Sequence, residues 1–170
     1  TYDYMKYCDK IPKLQADEKY MILYAYAGRI SNYEAEWISD YARKKKLKVY
    51  AIGGIQKCAD HFVSCSPFEV LAYFRNAEEV ITDTFHGSIF SVITHRPFST
   101  LIRKSIGNSY GNEEKLSDLL ERLELSSRMT TNIEDVENIN DKTIDYVRID
   151  ELLKKHRKVA KEYLQKNLEG

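Results

Sequence analysis

Four short apolar runs recur along the chain, and each is followed by a segment with helical spacing or strong turn signals. The runs lie at 20–26, 47–52, 79–82 and 98–102. Near-continuous apolar runs of this length are typical of strands that are buried on both faces, as in a parallel sheet. The alternation predicts an α/β fold in which helices cover both faces of a Rossmann-like parallel sheet.

The segments between and after these runs carry helix signals. Ser66, Pro67 and Glu69 form a strong helix start, because serine can cap, proline suits the first turn and glutamate can close a capping box. Acidic residues early and basic residues late in a segment also match the helix dipole. We predict helices at 33–46, 67–76, 86–95, 115–123 and 148–168.

The charges of this 170-residue chain balance, with 26 Lys and Arg against 26 Asp and Glu. This balance argues against binding of nucleic acid through a basic surface. Cys8, Cys58 and Cys65 lack the Cys-x-x-Cys spacing of zinc sites, so we expect reduced thiols and no metal. No apolar run approaches the ~20 residues of a membrane span, and no secretory leader pattern opens the sequence.

The beginning of the sequence differs in character from the rest. Residues 1–19 are polar and aromatic without a steady period, and we predict a linker or strap that enters the domain from a missing N-terminal domain. Residues 20–170 are predicted to form one Rossmann-like donor-binding domain that ends in a long C-terminal helix.

One predicted strand runs directly into a polar turn and a helix, in the sequence Thr82-Asp83-Thr84-Phe85-His86-Gly87-Ser88. Free N–H groups and the dipole at a helix start attract anions. A histidine there can meet a phosphate or carboxylate and can also move a proton. The turns at Gly28–Arg29 and Gly53–Gly54 also follow predicted strands. Because the carboxyl ends of parallel strands share one edge, we expect all three turns to form a single site.

The motifs around this turn resemble the polysaccharide pyruvyl transferase family. The resemblance rests on Ser66-Pro67-x-Glu69-x-Leu71, on Val80-Ile81-Thr82-Asp83-Thr84-Phe85-His86-Gly87-Ser88-Ile89-Phe90-Ser91, and on Arg96-Pro97-Phe98. It covers roughly residues 20 to 168, and the Phe-His-Gly block in this context is fairly specific.

The resemblance implies the carboxyl-terminal, donor-side domain of a two-domain fold like that of GT-B glycosyltransferases. The family's reaction moves an enolpyruvyl-derived group from phosphoenolpyruvate to two hydroxyls of a saccharide acceptor, which forms a pyruvate ketal during polysaccharide assembly. The resemblance implies cytoplasmic chemistry with no metal or cofactor. It also implies that this chain needs the N-terminal domain for catalysis.

We predict that His86 is the catalytic acid/base or phosphate-binding residue. The predicted substrate-binding residues are Thr84, Gly87, Ser88, Arg29, Arg103, Gly28 and Gly53. One branch of the family has Arg-Leu-His-Gly where this chain has Thr84-Phe85-His86-Gly87, so Arg29, Arg103 or Lys104 would have to supply the donor-binding cation.

Each of these residues also has a structural interpretation. Thr84 and Ser88 can cap the helix, and Gly87 can serve close helix–strand packing. Asp83 either orients His86 or caps the helix start, and we favour the cap. The two arginines can form ordinary surface ion pairs.

Two other functions fit the same architecture. A nucleotide-sugar glycosyltransferase domain would hold a diphosphate at the same helix start, although we find no convincing acidic residue for its ribose. A non-catalytic relative would keep the sheet and lack the donor site. Fold alone does not distinguish these functions.

Overall fold

The computed structural model describes residues 18–104 and 111–168, and within them six strands form one parallel sheet. The strands are β1 (Tyr20–Tyr24), β2 (Lys48–Ile52), β3 (His61–Phe62), β4 (Glu79–Thr82), β5 (Phe98–Leu101) and β6 (Met129–Thr130). The spatial order is β3-β2-β1-β4-β5-β6, and every neighbouring pair is parallel. The predicted Rossmann-like fold is confirmed, and the order places the topological switch point between β1 and β4.

Six helices accompany the sheet within the described ranges. They are α1 (Asn32–Lys45), α2 (Pro67–Asn76), α3 (Phe85–Ile93), α4 (Glu113–Arg122), α5 (Val136–Asn140) and α6 (Tyr146–Leu168). Five of them lie within about two residues of the predicted bounds, while α5 lies in a stretch for which no element was predicted. Ser31 and Ser66 each close a capping box, with Glu34 and Glu69 respectively. These reciprocal hydrogen bonds satisfy N–H groups that a helix start otherwise leaves open.

The core lies on both faces of the sheet. Tyr20 and Ile22 pack into one cluster with helices α2, α3, α4 and α6, whereas Met21 and Leu23 pack into another with α1 and α5. Successive strand residues point to opposite faces, so β1 contributes to both clusters. This explains why the strand is apolar at nearly every position.

Two predictions about strands were wrong in detail. The run at 20–26 leaves the sheet after Tyr24, because the carbonyls of Ala25 and Tyr26 accept hydrogen bonds from the Gln56 side chain instead. The edge strands β3 and β6 were not predicted, since two-residue strands have no measurable periodicity.

The predicted linker 1–19 lies almost entirely outside the described residues, and so does most of the predicted loop 104–112. The division into linker and domain stays a prediction. In the part of the chain that the structure covers, no helix combines the length and the apolar character needed to cross a membrane.

Candidate functional site

The loops that follow β1 and β4 meet at the switch point of the sheet. β1 and β4 are hydrogen-bonded neighbours, with Tyr24 opposite Thr82, and Thr82 Oγ1 donates to the Tyr24 carbonyl at 2.8 Å. Arg29 in the first loop lies 3.8 Å from the Asp83 carboxylate in the second, measured from Nη1 to Oδ2. In open α/β sheets, ligands bind in the crevice at this point.

Helix α3 presents its N-terminus to this crevice. Thr84 is the N-cap, and its hydroxyl accepts a hydrogen bond from the Gly87 N–H at 2.9 Å. The N–H groups of Phe85 and His86 donate to no residue within 18–104 or 111–168. Among the described residues these two amides have no acceptor, and helix-start amides of this kind bind anions.

The cap assigned to Asp83 from the sequence was wrong, because Thr84 occupies that position. Neither carboxylate oxygen of Asp83 has a hydrogen-bond partner among the described residues, so Asp83 does not hydrogen-bond to His86 either. Thr84 takes the cap because its hydroxyl lies one residue closer to the helix and reaches the N–H of the third helical residue.

His86 is exposed at the start of α3. Its ring centroid lies 6.1 Å from that of Phe85 and 6.1 Å from that of Phe90. No hydrogen bond joins its imidazole to the described residues, so the ring is accessible to a ligand. Its catalytic role stays a prediction.

Gly87 and Ser88 are buried against the ends of β4 and β5. A Cβ atom on Gly87 would lie 2.1 Å from Thr82 Oγ1, which matches the close-packing interpretation. The Ser88 hydroxyl lies 3.1 Å from the Thr84 carbonyl and 3.0 Å from the Thr100 hydroxyl. Thr84, Gly87 and Ser88 thus all have structural contacts, and direct ligand binding by them stays a prediction.

Arg103 follows β5 and reaches back to helix α1. Its Nη1 donates to Glu34 Oε1 at 2.6 Å, and its Nε and Nη2 are buried without a hydrogen-bond partner in the described chain. Burial alone would raise the pKa of Glu34, but hydrogen bonds from Arg103 and Ser31 outweigh burial and lower it. Glu34 therefore stays charged and holds one edge of the guanidinium.

The surroundings of Asp83 act on the pKa of its carboxyl in opposite directions. Its side chain is 0% exposed. Burial raises its pKa to about 6, although Arg29 and Arg103 act in the opposite direction. A carboxyl without hydrogen bonds keeps its charge at a cost, because the low dielectric around it favours the neutral form.

The sequence did not point to Asn112, which joins the ends of β4 and β5. Its Nδ2 donates to the Asp83 carbonyl at 2.7 Å, and its Oδ1 accepts from the Arg103 N–H at 2.7 Å. It is buried and lies in a segment without periodicity, so no local pattern marked it. The pairing of Glu34 with Arg103 was also missed, since only tertiary structure brings them together.

The two predicted glycines lie at the same edge of the sheet. Gly28 has φ +78° and open space around its Cα, while Gly53 has φ +88° and packs against the Tyr24 ring. A Cβ on the adjacent Gly54 would lie 2.3 Å from the Ala27 nitrogen. The turns after β1 and β2 are therefore packed together, although ligand contact by Gly28 and Gly53 stays a prediction.

The remaining groups near α3 are cationic or apolar. Lys115 Nζ lies 4.8 Å from the centre of the Phe85 ring, and the Arg29 guanidinium lies 4.5 Å from the centre of the Tyr26 ring. Within the described ranges, no cluster of three or more His, Cys, Asp or Glu residues could hold a metal ion. The groups described at the crevice are therefore backbone amides, cationic side chains and aromatic rings.

The sequence profile of the polysaccharide pyruvyl transferase family matches residues 4–105. This match covers more than half of the chain, and the protein belongs to that family. The resemblance predicted from the Phe-His-Gly segment is thereby confirmed. No curated protein matches the sequence significantly.

Among solved structures, the fold is similar to that of UDP-GlcNAc 2-epimerase from Methanocaldococcus jannaschii, determined in complex with UDP-GlcNAc and UDP. The TM-score is 0.52 at 15% sequence identity, with 82% of this chain and 42% of the epimerase chain covered. The similarity confirms the GT-B-like architecture of the domain. The chain spans less than half of the epimerase's length.

Proposed function

We propose that this domain is the donor-binding half of a pyruvyl transferase that uses phosphoenolpyruvate. The observation that carries the proposal is the convergence, at one switch point, of the open amides of Phe85 and His86 with Arg29 and Arg103. Phosphoenolpyruvate carries a phosphate and a carboxylate, and both groups are recognised by helix-start amides and guanidinium groups.

In the proposed reaction, the methylene carbon of phosphoenolpyruvate gains a proton and its C2 becomes electrophilic. One sugar hydroxyl attacks C2 and loses its proton. The C2–O bond to phosphate then breaks, and a second hydroxyl of the same sugar closes the ketal with loss of its own proton. One of the two hydroxyl protons balances the proton on carbon, and the other leaves with the released phosphate or solvent.

His86 is the proposed proton carrier or phosphate ligand of this reaction. Its ring is exposed at the start of α3, and an imidazole can both bind a phosphate and carry a proton. A group positioned for proton transfer contributes roughly 10²–10⁴-fold to rate.

The saccharide acceptor and a second domain are the proposed partners. The chain corresponds to 42% of the epimerase chain, which leaves room for an N-terminal domain in a protein of this architecture. Tyr26, Ile55 and Phe62 are exposed at or beyond the carboxyl ends of β1, β2 and β3. Apolar side chains at that edge would suit a covering domain that also excludes water.

Calorimetric titration tests the donor assignment. We expect phosphoenolpyruvate to bind the wild-type protein, and Arg29→Gln and Arg103→Gln each to weaken binding about tenfold through loss of a charge-assisted contact. Arg122→Gln is the matched control, since the Arg122 side chain is exposed on α4 and pairs with Asp118. Binding of UDP-GlcNAc without binding of phosphoenolpyruvate would favour the glycosyltransferase alternative.

His86→Gln tests the proton-transfer role in the full-length protein with its acceptor. We expect turnover to fall by about 10²-fold or more while the thermal midpoint stays unchanged, because the exposed ring has no hydrogen bond to the described residues. His156→Gln on α6 is the control for loss of an exposed histidine. Normal turnover with a lowered midpoint would instead assign His86 a structural role.

A further inference from the structure

Asp83 is a buried carboxylate whose role is explained neither by the helix cap nor by the turn. Its backbone is already held, because its N–H donates to the Tyr24 carbonyl and its own carbonyl accepts from Asn112. Its two carboxylate oxygens have no hydrogen-bond partner in the described chain. A side chain that only filled space here would avoid a charge, since a buried carboxylate without hydrogen bonds is costly.

Among the described residues, the charged groups around Asp83 come from three segments. Arg29 lies on the loop after β1 at 3.8 Å, Arg103 follows β5, and Glu34 belongs to α1 and already pairs with Arg103. From α3, the titratable group in this region is His86, which makes no hydrogen bond with Asp83. Asn112, the polar contact from the segment before α4, is neutral.

Arg29 lies between the Asp83 carboxylate and the crevice, where a ligand would bind. The Arg29 side chain is 23% exposed, while the Asp83 side chain beside it is fully buried. A ligand approaching from solvent therefore meets Arg29 first and cannot reach Asp83. An anion on the outer side of Arg29 adds a second negative charge close to Asp83 and competes with it for the same cation.

We infer that Asp83 is a positioning residue that holds Arg29 at the switch point in the free protein and takes up a proton when an anionic ligand binds there. This inference rests on the proposed function. The raised pKa of Asp83 supports it, because an added negative charge nearby can only raise that pKa further.

Proton uptake by Asp83 sets the sign of the pH dependence of binding. Protonated Asp83 is the form that the bound anion favours, so affinity is highest at low pH and falls as pH rises above the pKa of the free protein. The fall approaches about tenfold per pH unit when one proton is taken up fully. It ends above the pKa of the complex, where Asp83 is charged in both states.

Titration of phosphoenolpyruvate from pH 5.5 to 8 tests this with the full-length protein and Asp83→Asn. We expect the wild-type protein to lose affinity more steeply than Asp83→Asn, so that their affinity ratio changes about tenfold or more over the range. Ionisation of the ligand is common to both proteins and cancels in the ratio. Asp118→Asn, an exposed change on α4, should follow the wild type.

A second measurement needs no variant. Calorimetry of the wild-type protein at pH 7 in two buffers of different ionisation enthalpy counts the protons exchanged on binding. A parallel titration with inorganic sulfate is the control for protons that the ligand phosphate contributes to this count. We expect net proton uptake with both anions. Binding without proton uptake, or with equal pH slopes in wild type and Asp83→Asn, would overturn this inference alone. Absence of any phosphoenolpyruvate binding would overturn the proposed function together with it.

Discussion

Gly87 is the residue where the packing of the site leaves the least space. The Cβ of an alanine would lie 2.1 Å from Thr82 Oγ1 and 2.8 Å from Thr82 Cβ, inside a buried strand end that has little room to shift. We expect Gly87→Ala to lower the free energy of unfolding by about 3 kcal/mol, measured by urea denaturation. Gly28→Ala has no atom in its way and should cost only about 1 kcal/mol, from its positive φ. Equal losses of stability in Gly87→Ala and Gly28→Ala would show that the structure shifts to relieve the contact with Thr82.

Asp83 is a single residue that makes the free energy of unfolding depend on pH. Its pKa rises from 3.8 to about 6 on folding, so its contribution to stability is present below pH 3.8 and is lost as pH rises through 6. Asp83→Asn removes the titrating carboxyl and with it this loss of stability. We therefore expect the free energy of unfolding of the variant, relative to that of wild type, to grow by up to about 3 kcal/mol between pH 4 and pH 7.

Chemical denaturation at several pH values measures this difference. Asp118→Asn serves as the control, because its carboxylate is exposed and pairs with Arg122 on the same helix. Stability curves of wild type and Asp83→Asn that run parallel would contradict the expected titration of Asp83.

At the scale of elements, one buried arginine fixes the connection between α5 and α6. Arg128 donates to the carbonyls of Ile139, Lys142 and Thr143 at 2.6, 2.9 and 3.0 Å. Burial lowers its pKa. These contacts close the end of α5 and the turn that follows it, where helix carbonyls otherwise lack partners.

We expect Arg128→Met to destabilise the protein by about 3 kcal/mol, because the part-buried carbonyls of Lys142 and Thr143 lose their donor and the Ile139 carbonyl loses one of its donors. Arg122→Met removes an exposed arginine from α4 and should change stability by about 0.5 kcal/mol or less. Thermal unfolding of both variants checks the contrast, and similar midpoints would refute the role of Arg128.

On the scale of the whole molecule, the contacts of α6 with the rest of the described chain lie in its N-terminal half. The Tyr146 ring stacks on His95 with centroids 4.5 Å apart, and Asp150 lies 3.1 Å from the same histidine. His95 has φ +56° in the turn after α3, which directs the chain toward β5. Beyond Ala160 the described side chains of α6 are exposed.

We expect Tyr146→Ala to release the first turns of α6 from the domain. Hydrogen exchange of amides 146–153 should accelerate about tenfold or more, since each 1.4 kcal/mol of lost anchoring is tenfold in local opening. Tyr163→Ala, at a position that is 67% exposed, should leave exchange there unchanged. Equal protection in both variants would place the anchor elsewhere.

Local chemistry made much of the chain predictable. Ser31 and Ser66 cap the helices that their sequences indicate, and β4 has the predicted bounds. The turn at Thr84 begins a helix as expected. Capping by Thr84, which the sequence allowed, is confirmed, whereas the favoured cap at Asp83 was wrong. Such signals depend on groups within a few positions of one another, so the sequence displays them directly.

Other features depend on contacts between distant segments. The strand order brings Arg29 beside Asp83, and Asn112 joins β4 to β5 from a segment with no pattern of its own. Edge strands β3 and β6 are too short for any period to mark them.

The sequence by itself thus determined the alternation of the longer strands and helices, the Ser66 cap and the family. Only the tertiary structure decided which loops meet at the switch point and which carboxylates pair with Arg29 and Arg103. The physical reason is that periodicity and capping are properties of neighbours along the chain. Charge pairing in the crevice arises only when burial brings residues from separate strands within a few ångströms, where a low dielectric makes their interaction strong.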